Sequence, residues 1–131
     1  MFFGEECFRI LRSSNDSAMT IFGGDFNCVQ KINDLENGVG FMTKKCPALD
    51  DLIRVGNFKD VYRSIYPRGE EFTFARRGKT KSRLDRVYIP LGLVGDLVSC
   101  SMVGTLSDHS AFHFSINMKI YKGKELICTG N

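Results

Sequence analysis

From Ser110 to Met118 polar and apolar positions alternate without a break, with Ala111, His113, Ser115 and Asn117 set against Phe112, Phe114, Ile116 and Met118. A period of two puts one set on each face of a pleated strand, so the stretch predicts a strand with a single buried face. Leu97 to Val103 predicts another, and Ala18 to Gly23 a third. Between Glu71 and Ile89 the order is Phe72-Thr73-Phe74, a basic turn from Arg76 to Lys81, then Arg83 to Ile89 with apolar Leu84, Val87 and Ile89, closed by Pro90. That order predicts a hairpin with a cationic tip.

Two stretches carry a helical period instead. Phe3, Cys7, Phe8, Ile10 and Leu11 recur at near-helical spacing over residues 2 to 12, with Glu5 and Glu6 early and Arg9 and Arg12 late, as the helix dipole favours. Ser13-Ser14-Asn15-Asp16-Ser17 ends that helix. Pro47 opens a second one, which Leu49, Leu52, Ile53 and Val55 carry to a C-cap at Gly56-Asn57. Phe58 to Tyr66, stopped by Pro67-Arg68-Gly69, predicts irregular or short helical structure. Cys28 to Lys45 reads as a long polar loop, and residues 119 to 131 as a tail after a domain spanning 1 to 118.

A chain of 131 residues with 43% apolar and 25% charged content supports one packed domain. No window approaches the roughly 18 apolar residues of a membrane span. The start Met1-Phe2-Phe3-Gly4-Glu5-Glu6 lacks the basic opening of a secretory signal, so the expectation is a soluble intracellular chain. The five cysteines form no Cys-x-x-Cys pair, which fits buried thiols better than disulfides or zinc. The net charge of +3 says little, but its distribution says more: Arg76, Arg77, Lys79, Lys81, Arg83 and Arg86 face the single acid Asp85 within eleven residues.

Polar chemistry gathers at three predicted strand ends: Asp25 with Asn27 after Ile21-Phe22-Gly23-Gly24, Asp85 in Ser82-Arg83-Leu84-Asp85-Arg86, and Asp108-His109 in Leu106-Ser107-Asp108-His109-Ser110. Taken alone, Asp25 to Asn27 is what an Asx turn closing a buried strand looks like. Asp85 alone reads as a surface ion-pair cluster with its flanking arginines. His113 lies on the polar phase of its strand without an acidic neighbour, and reads as structural. Together, however, the clusters supply carboxylates, an imidazole and an amide, an inventory suited to metal-assisted hydrolysis of a phosphodiester. Hard oxygen ligands point to magnesium or manganese rather than zinc.

Gly-Asp-Phe-Asn at 24 to 27, Ser-Arg-Leu-Asp at 82 to 85 and Ser-Asp-His-Ser at 107 to 110, in this order, resemble the endonuclease/exonuclease/phosphatase superfamily of apurinic endonucleases and deoxyribonuclease I. Asp60-Val61-Tyr62-Arg63, Tyr66-Pro67, Phe72-Thr73-Phe74 and Ser82-Arg83-Leu84-Asp85-Arg86 are most similar to the endonuclease domain of LINE-type, non-long-terminal-repeat retrotransposons. The resemblance covers residues from about 2 to 118. It implies that Asp25 orients or deprotonates the attacking water and that Asn27 contacts the scissile phosphate. It further implies that Asp108 helps bind the metal, and that Asp85 fixes His109, which binds phosphate or shares in proton transfer. Thr73 and Ser107 become supporting or substrate-contacting hydroxyls, and Arg76, Arg77, Lys79 and Lys81 become contacts to the phosphate backbone. Where the family often has an aromatic residue after the Asp85 equivalent, this chain has Arg86.

The resemblance also implies what is missing. An Asn, a metal-binding Glu and a catalytic Tyr precede the Gly-Asp-Phe-Asn motif in the family, and none of the 24 residues before Asp25 matches them. The expected architecture is therefore α/β (α+β), the C-terminal half of a four-layer DNase I-like sandwich, mostly antiparallel sheet with flanking helices. Such a half would supply essentially one sheet and leave Phe112, Phe114 and Ile116 without a partner face. The functional expectation is a magnesium-dependent DNA endonuclease fragment of low activity, nuclear and derived from a polyprotein carrying a reverse transcriptase. The alternatives are a non-catalytic relic or basic nucleic-acid-binding module, and, further off, a phosphoinositide or sphingomyelin phosphodiesterase.

Overall fold

The computed structural model describes residues 20–117 and the backbone of 127–130. The helix expected over residues 2 to 12 lies outside the described residues. The described fold is α+β. A four-stranded sheet runs in the order β2 (Phe58–Asp60), β3 (Asp85–Pro90), β1 (Thr20–Asp25), β6 (Ile127–Gly130), antiparallel except for the β1–β6 pair. A second, two-stranded sheet pairs β4 (Leu97–Val103) with β5 (Ala111–Ile116).

Alternation along β1 and β3 divides the core in two. Phe22 and Tyr88 point to one side, where they join Phe26, Cys28, Phe58 and Leu49, Leu52 and Ile53 of α1 (Pro47–Gly56). Ile21 and Ile89 point to the other, where Val61 and Tyr62 of the short helix α2 (Val61–Ile65) join Leu93 and Cys100. Helix α1 starts with Pro47 and ends on Asn57, whose left-handed φ of 54° lets its N–H reach the Arg54 and Ile53 carbonyls. Its buried residues fall at i, i+3 and i+4, and each such burial contributes about 1.5–3 kcal/mol before chain entropy.

Several expectations change. Phe112, Phe114 and Ile116 are not left without a partner, because they pack on the cluster of Ile21, Val61 and Ile89 that joins the two sheets. Phe72-Thr73-Phe74 does not pair as the long arm of a hairpin: both edges of β3 are taken by β1 and β2, and Phe74 is limited to isolated bridges with Ser82 and His109. The stretch read as a tail supplies β6 along the open edge of β1.

Arg83 and Arg86 leave the basic patch altogether, being 0% and 1% exposed. Arg83 forms a two-pronged pair with Asp60 and donates from Nε to Asp34 at 2.9 Å, while Arg63 reaches the same Asp34 oxygen at 2.7 Å. Asp34 also accepts the Lys31 N–H at 2.9 Å. Burial alone would raise the Asp34 carboxyl, but the Arg83 charge and the bonds from Arg63 and Lys31 outweigh it and hold the group below the ordinary carboxylate range. The predicted 28 to 45 loop is thus pinned to the core at Asp34.

Candidate active site

The strand pairing that builds the main sheet also brings two carboxylates together, since Asp25 at the end of β1 is the register partner of Asp85 at the start of β3. Glycine makes this approach close: a Cβ on Gly23 would lie 2.8 Å from the Arg86 carbonyl oxygen. Beyond the pair the chain turns, with the Asp25 Oδ1 accepting the Asn27 N–H at 2.9 Å and Asn27 at a φ of 53°. The Asx turn and the acid and amide of the motif are therefore the same structure. Phe26 goes inward, edge-on to Tyr88 with ring centroids 5.4 Å apart, and Asn27 stays exposed.

The third motif is delivered by residues 73–75. The Ser110 N–H donates to the Thr73 carbonyl at 2.7 Å and the Ala75 N–H to the Asp108 carbonyl at 2.9 Å, which lays 108–110 beside the start of β3. Thr73 is 1% exposed, and its hydroxyl oxygen accepts the N–H groups of both Leu84 and Asp85 at 3.0 Å. The result is a compact constellation in which His109 Nδ1 lies 2.7 Å from Asp85 Oδ2 and Nε2 lies 3.7 Å from Asp25 Oδ2. The imidazole also packs against Phe74, centroid to centroid 5.2 Å. The Asp85 hydrogen bond pushes the His109 pKa above its ordinary 6.5; burial opposes this, and the charges of Asp85, Asp25 and Asp108 reinforce it. A cleft of about 170 Å³ adjoins the pair, lined by Gly24, Val87, Ser110, Ala111 and Phe112.

Asp25, Asp85 and His109 each offer a ligand atom, and the three atoms lie within 4.8 Å of one another. That set fits a divalent ion of the kind bound through one or two carboxylates, with water and substrate phosphate completing the shell. Asp108 is outside this trio, with its carboxylate half-exposed and 4.0 Å from Arg76 Nε. Ser107 is exposed and turned onto its own loop, accepting the His109 N–H at 3.1 Å and donating to the His109 carbonyl. Arg76, Arg77, Lys79 and Lys81 are exposed on a turn closed by the Lys79 N–H to Arg76 carbonyl bond, with Gly78 at a φ of 79°.

The chain matches several solved structures. It has a TM-score of 0.73 with an AP endonuclease from Archaeoglobus fulgidus, at 18% identity over 88% of this chain and 52% of that one. The AP endonuclease of Leishmania major gives 0.65, at 21% identity over 76% and 35%. The endonuclease domain of TRAS1, a telomere-specific non-LTR retrotransposon, gives 0.64, at 21% identity over 89% and 51%. The fold is DNase I-like. The chain spans about half or less of the length of these structures. No family model matches the sequence, and no curated protein matches it.

Within the DNase I-like fold, two further residues shape the site although their motifs assigned them no role. Arg86 donates to the Cys28 carbonyl and, at 2.9 Å, to the Arg83 carbonyl, and its guanidinium lies 5.1 Å from the Phe26 ring centroid. It braces the turn carrying Asp25 and Asn27 against the segment carrying Asp85. Arg83 anchors the same segment through Asp34 and Asp60. Among the described residues, no helix is long and apolar enough to cross a membrane.

Proposed function

We propose that the chain carries a metal-dependent phosphodiesterase site that nicks DNA, with Asp25, Asp85 and His109 at its centre and magnesium or manganese as the ion. The observation that carries this reading is the convergence of three distant sequence segments, which sets one imidazole against two carboxylates at a single sheet end. Structural turns do not need such partners. The likeness of the fold to AP endonucleases and to the TRAS1 endonuclease domain supports the substrate class.

On this reading Asp25 accepts a proton from the attacking water while the water oxygen bonds to phosphorus and the bond to the leaving sugar oxygen breaks. His109, whose pKa the Asp85 hydrogen bond raises, offsets charge on the phosphoryl oxygens when protonated and returns a proton from Nε2 to the leaving oxygen. Asn27, presented beyond Asp25, contacts the scissile phosphate. The Asp25 and Asp85 carboxylates would hold a divalent ion, which would supply Lewis-acid stabilisation of the developing charge. Asp108 adds negative potential beside the site, and Ser107 and Thr73 act by holding backbone rather than substrate. The exposed basic turn of Arg76, Arg77, Lys79 and Lys81 follows the duplex backbone.

The finer reading is a retrotransposon-derived, nuclear endonuclease fragment, linked in origin to a reverse transcriptase, whose turnover alone is weak because the described residues supply few metal donors. Plasmid nicking in magnesium and in manganese tests it. Wild type is expected to nick slowly, and Asp25→Ala and His109→Ala to lose about 10²–10⁴-fold. Absence of nicking at every metal concentration would leave only a nucleic-acid-binding relic. Faster hydrolysis of phosphoinositide or sphingomyelin than of DNA would overturn the substrate class.

A further inference from the structure

Away from this site, a cleft of about 260 Å³ opens beside the short edge strand β2, lined by Gln30, Lys31, Ile53, Phe58, Lys59, Asp60, Arg63 and Ser64. Its charge balance is decided by what the internal carboxylates already do. Asp34 and Asp60 are neutralised by Arg63 and Arg83. Lys31 and Lys59 are exposed and make no ion pair among the described residues, which leaves the cleft a surplus of two positive charges. The Arg63 side chain is only 9% exposed, so one wall is a fixed, dry cation rather than a mobile surface one. Gln30 spends its carbonyl oxygen on the Tyr88 hydroxyl at 3.0 Å, which turns its amide donors away from that bond. Ser64 gives its proton to the Asp60 carbonyl at 2.8 Å and is not available as a donor.

We propose that this cleft is an oxyanion site for a phosphate monoester. Two surplus charges match the dianion, and Ile53 and Phe58, 7% and 2% exposed, offer an apolar floor to the organic part of the ester. The volume, below the roughly 300–1,000 Å³ of drug-sized pockets, is on the scale of a small phosphate ester. Lys31 and Lys59 line the cleft from a loop and from strand β2, two cationic residues for one multivalent anion. The site is independent of the phosphodiesterase reading, since none of its lining residues belongs to the Asp25, Asp85 and His109 cluster.

The test is a titration of the full chain, followed through backbone amide resonances, with inorganic phosphate, a nucleoside 5′-monophosphate and a short DNA duplex in parallel. Saturable shifts at Gln30, Lys31, Lys59 and Arg63 are expected with phosphate and more strongly with the nucleotide. The pair Lys31→Gln with Lys59→Gln, both exposed and changed only in side chains that make no ion pair with the core acids, should weaken that binding about tenfold or more. Shifts at these residues with the duplex alone would identify the ligand as a backbone phosphodiester and overturn the monoester assignment. Shifts confined to residues 76–81, or an unchanged affinity in the double variant, would overturn the site itself.

Discussion

Replacing Thr73 by Val isolates the link between the frame and the chemistry. The substitution keeps the branched shape and removes one oxygen, the acceptor for the Leu84 and Asp85 N–H groups at 3.0 Å each. Leaving a buried donor without a partner costs about 1–3 kcal/mol. With Leu84 and Asp85 half-buried, the pair of losses sums to about 2–4 kcal/mol, a large share of a total stability of roughly 5–15 kcal/mol. For a chain of this length that lowers Tm by about 8–16 °C. Urea and thermal unfolding of wild type, Thr73→Val and Thr73→Ser measure it, and Ser, which keeps the oxygen, should stay within about 1 kcal/mol of wild type. The same loss frees the start of β3, so the Asp85 to His109 bond loosens. The His109 ring protons, followed by NMR, should then titrate at lower pH than in wild type. A Val variant within about 0.5 kcal/mol of wild type would refute the accounting. Loss of stability with an unmoved His109 titration would show that the hydroxyl supports the fold without setting the site.

Other perturbations follow from the same geometry. Asp34→Asn removes the carboxylate that Arg63 and Arg83 share, leaving Asp60 alone against two interior arginines, and should cost roughly 3–5 kcal/mol in urea unfolding. Because the Asp34 pKa is lowered on folding, its contribution is present above the ordinary carboxylate pKa and is lost as pH falls through the lowered value. The variant should therefore show a shallower acid slope below about pH 4, and an unchanged slope would count against this ion pair. Gly23→Ala forces a Cβ to 2.8 Å from a backbone oxygen and should cost about 1–3 kcal/mol, with near-wild-type stability refuting the close approach. Replacing Arg76, Arg77, Lys79 and Lys81 by Gln should reduce the salt dependence of DNA binding by about 0.9 in log–log slope for each phosphate no longer neutralised, and an unaltered slope would remove the turn from the interface.

What the sequence made legible was the local and the periodic. The alternation around Phe112 to Ile116 places β5 and its half-buried apolar face, and Pro47 with Asn57 places both ends of α1. The apolar run before the first motif predicts a strand over Ala18 to Gly23, yet pairing continues to Asp25, because the glycine pair that resembles a turn also lets β1 and β3 approach closely. Counting formal charges puts Arg83 and Arg86 on the surface. Their burial depends on Asp34 and on the Cys28 carbonyl, 49 and 58 residues away in sequence, and no local pattern encodes such partners. Strand β6 is only four residues long, too short for a period to show in the sequence, and it pairs in parallel with β1. Of the candidate site, the joint membership of Asp25, Asp85 and His109 is what the resemblance of their motifs implies, and the structure sets the three side chains together. That Asp108 stands outside the cluster, and that Thr73 faces backbone, depends on the tertiary contacts of residues 73–75 and 108–110.

The central claim is that Asp85 and His109 act as one unit in phosphodiester hydrolysis. A double-variant cycle on the DNA nicking rate, with Asp85→Asn, His109→Ala and the two combined, measures it most directly. If the imidazole works only while Asp85 holds it at 2.7 Å, His109→Ala should cost almost nothing further once Asp85 is Asn, so that the double variant matches Asp85→Asn alone. Losses that simply multiply, or nicking that survives in all three variants, would contradict it.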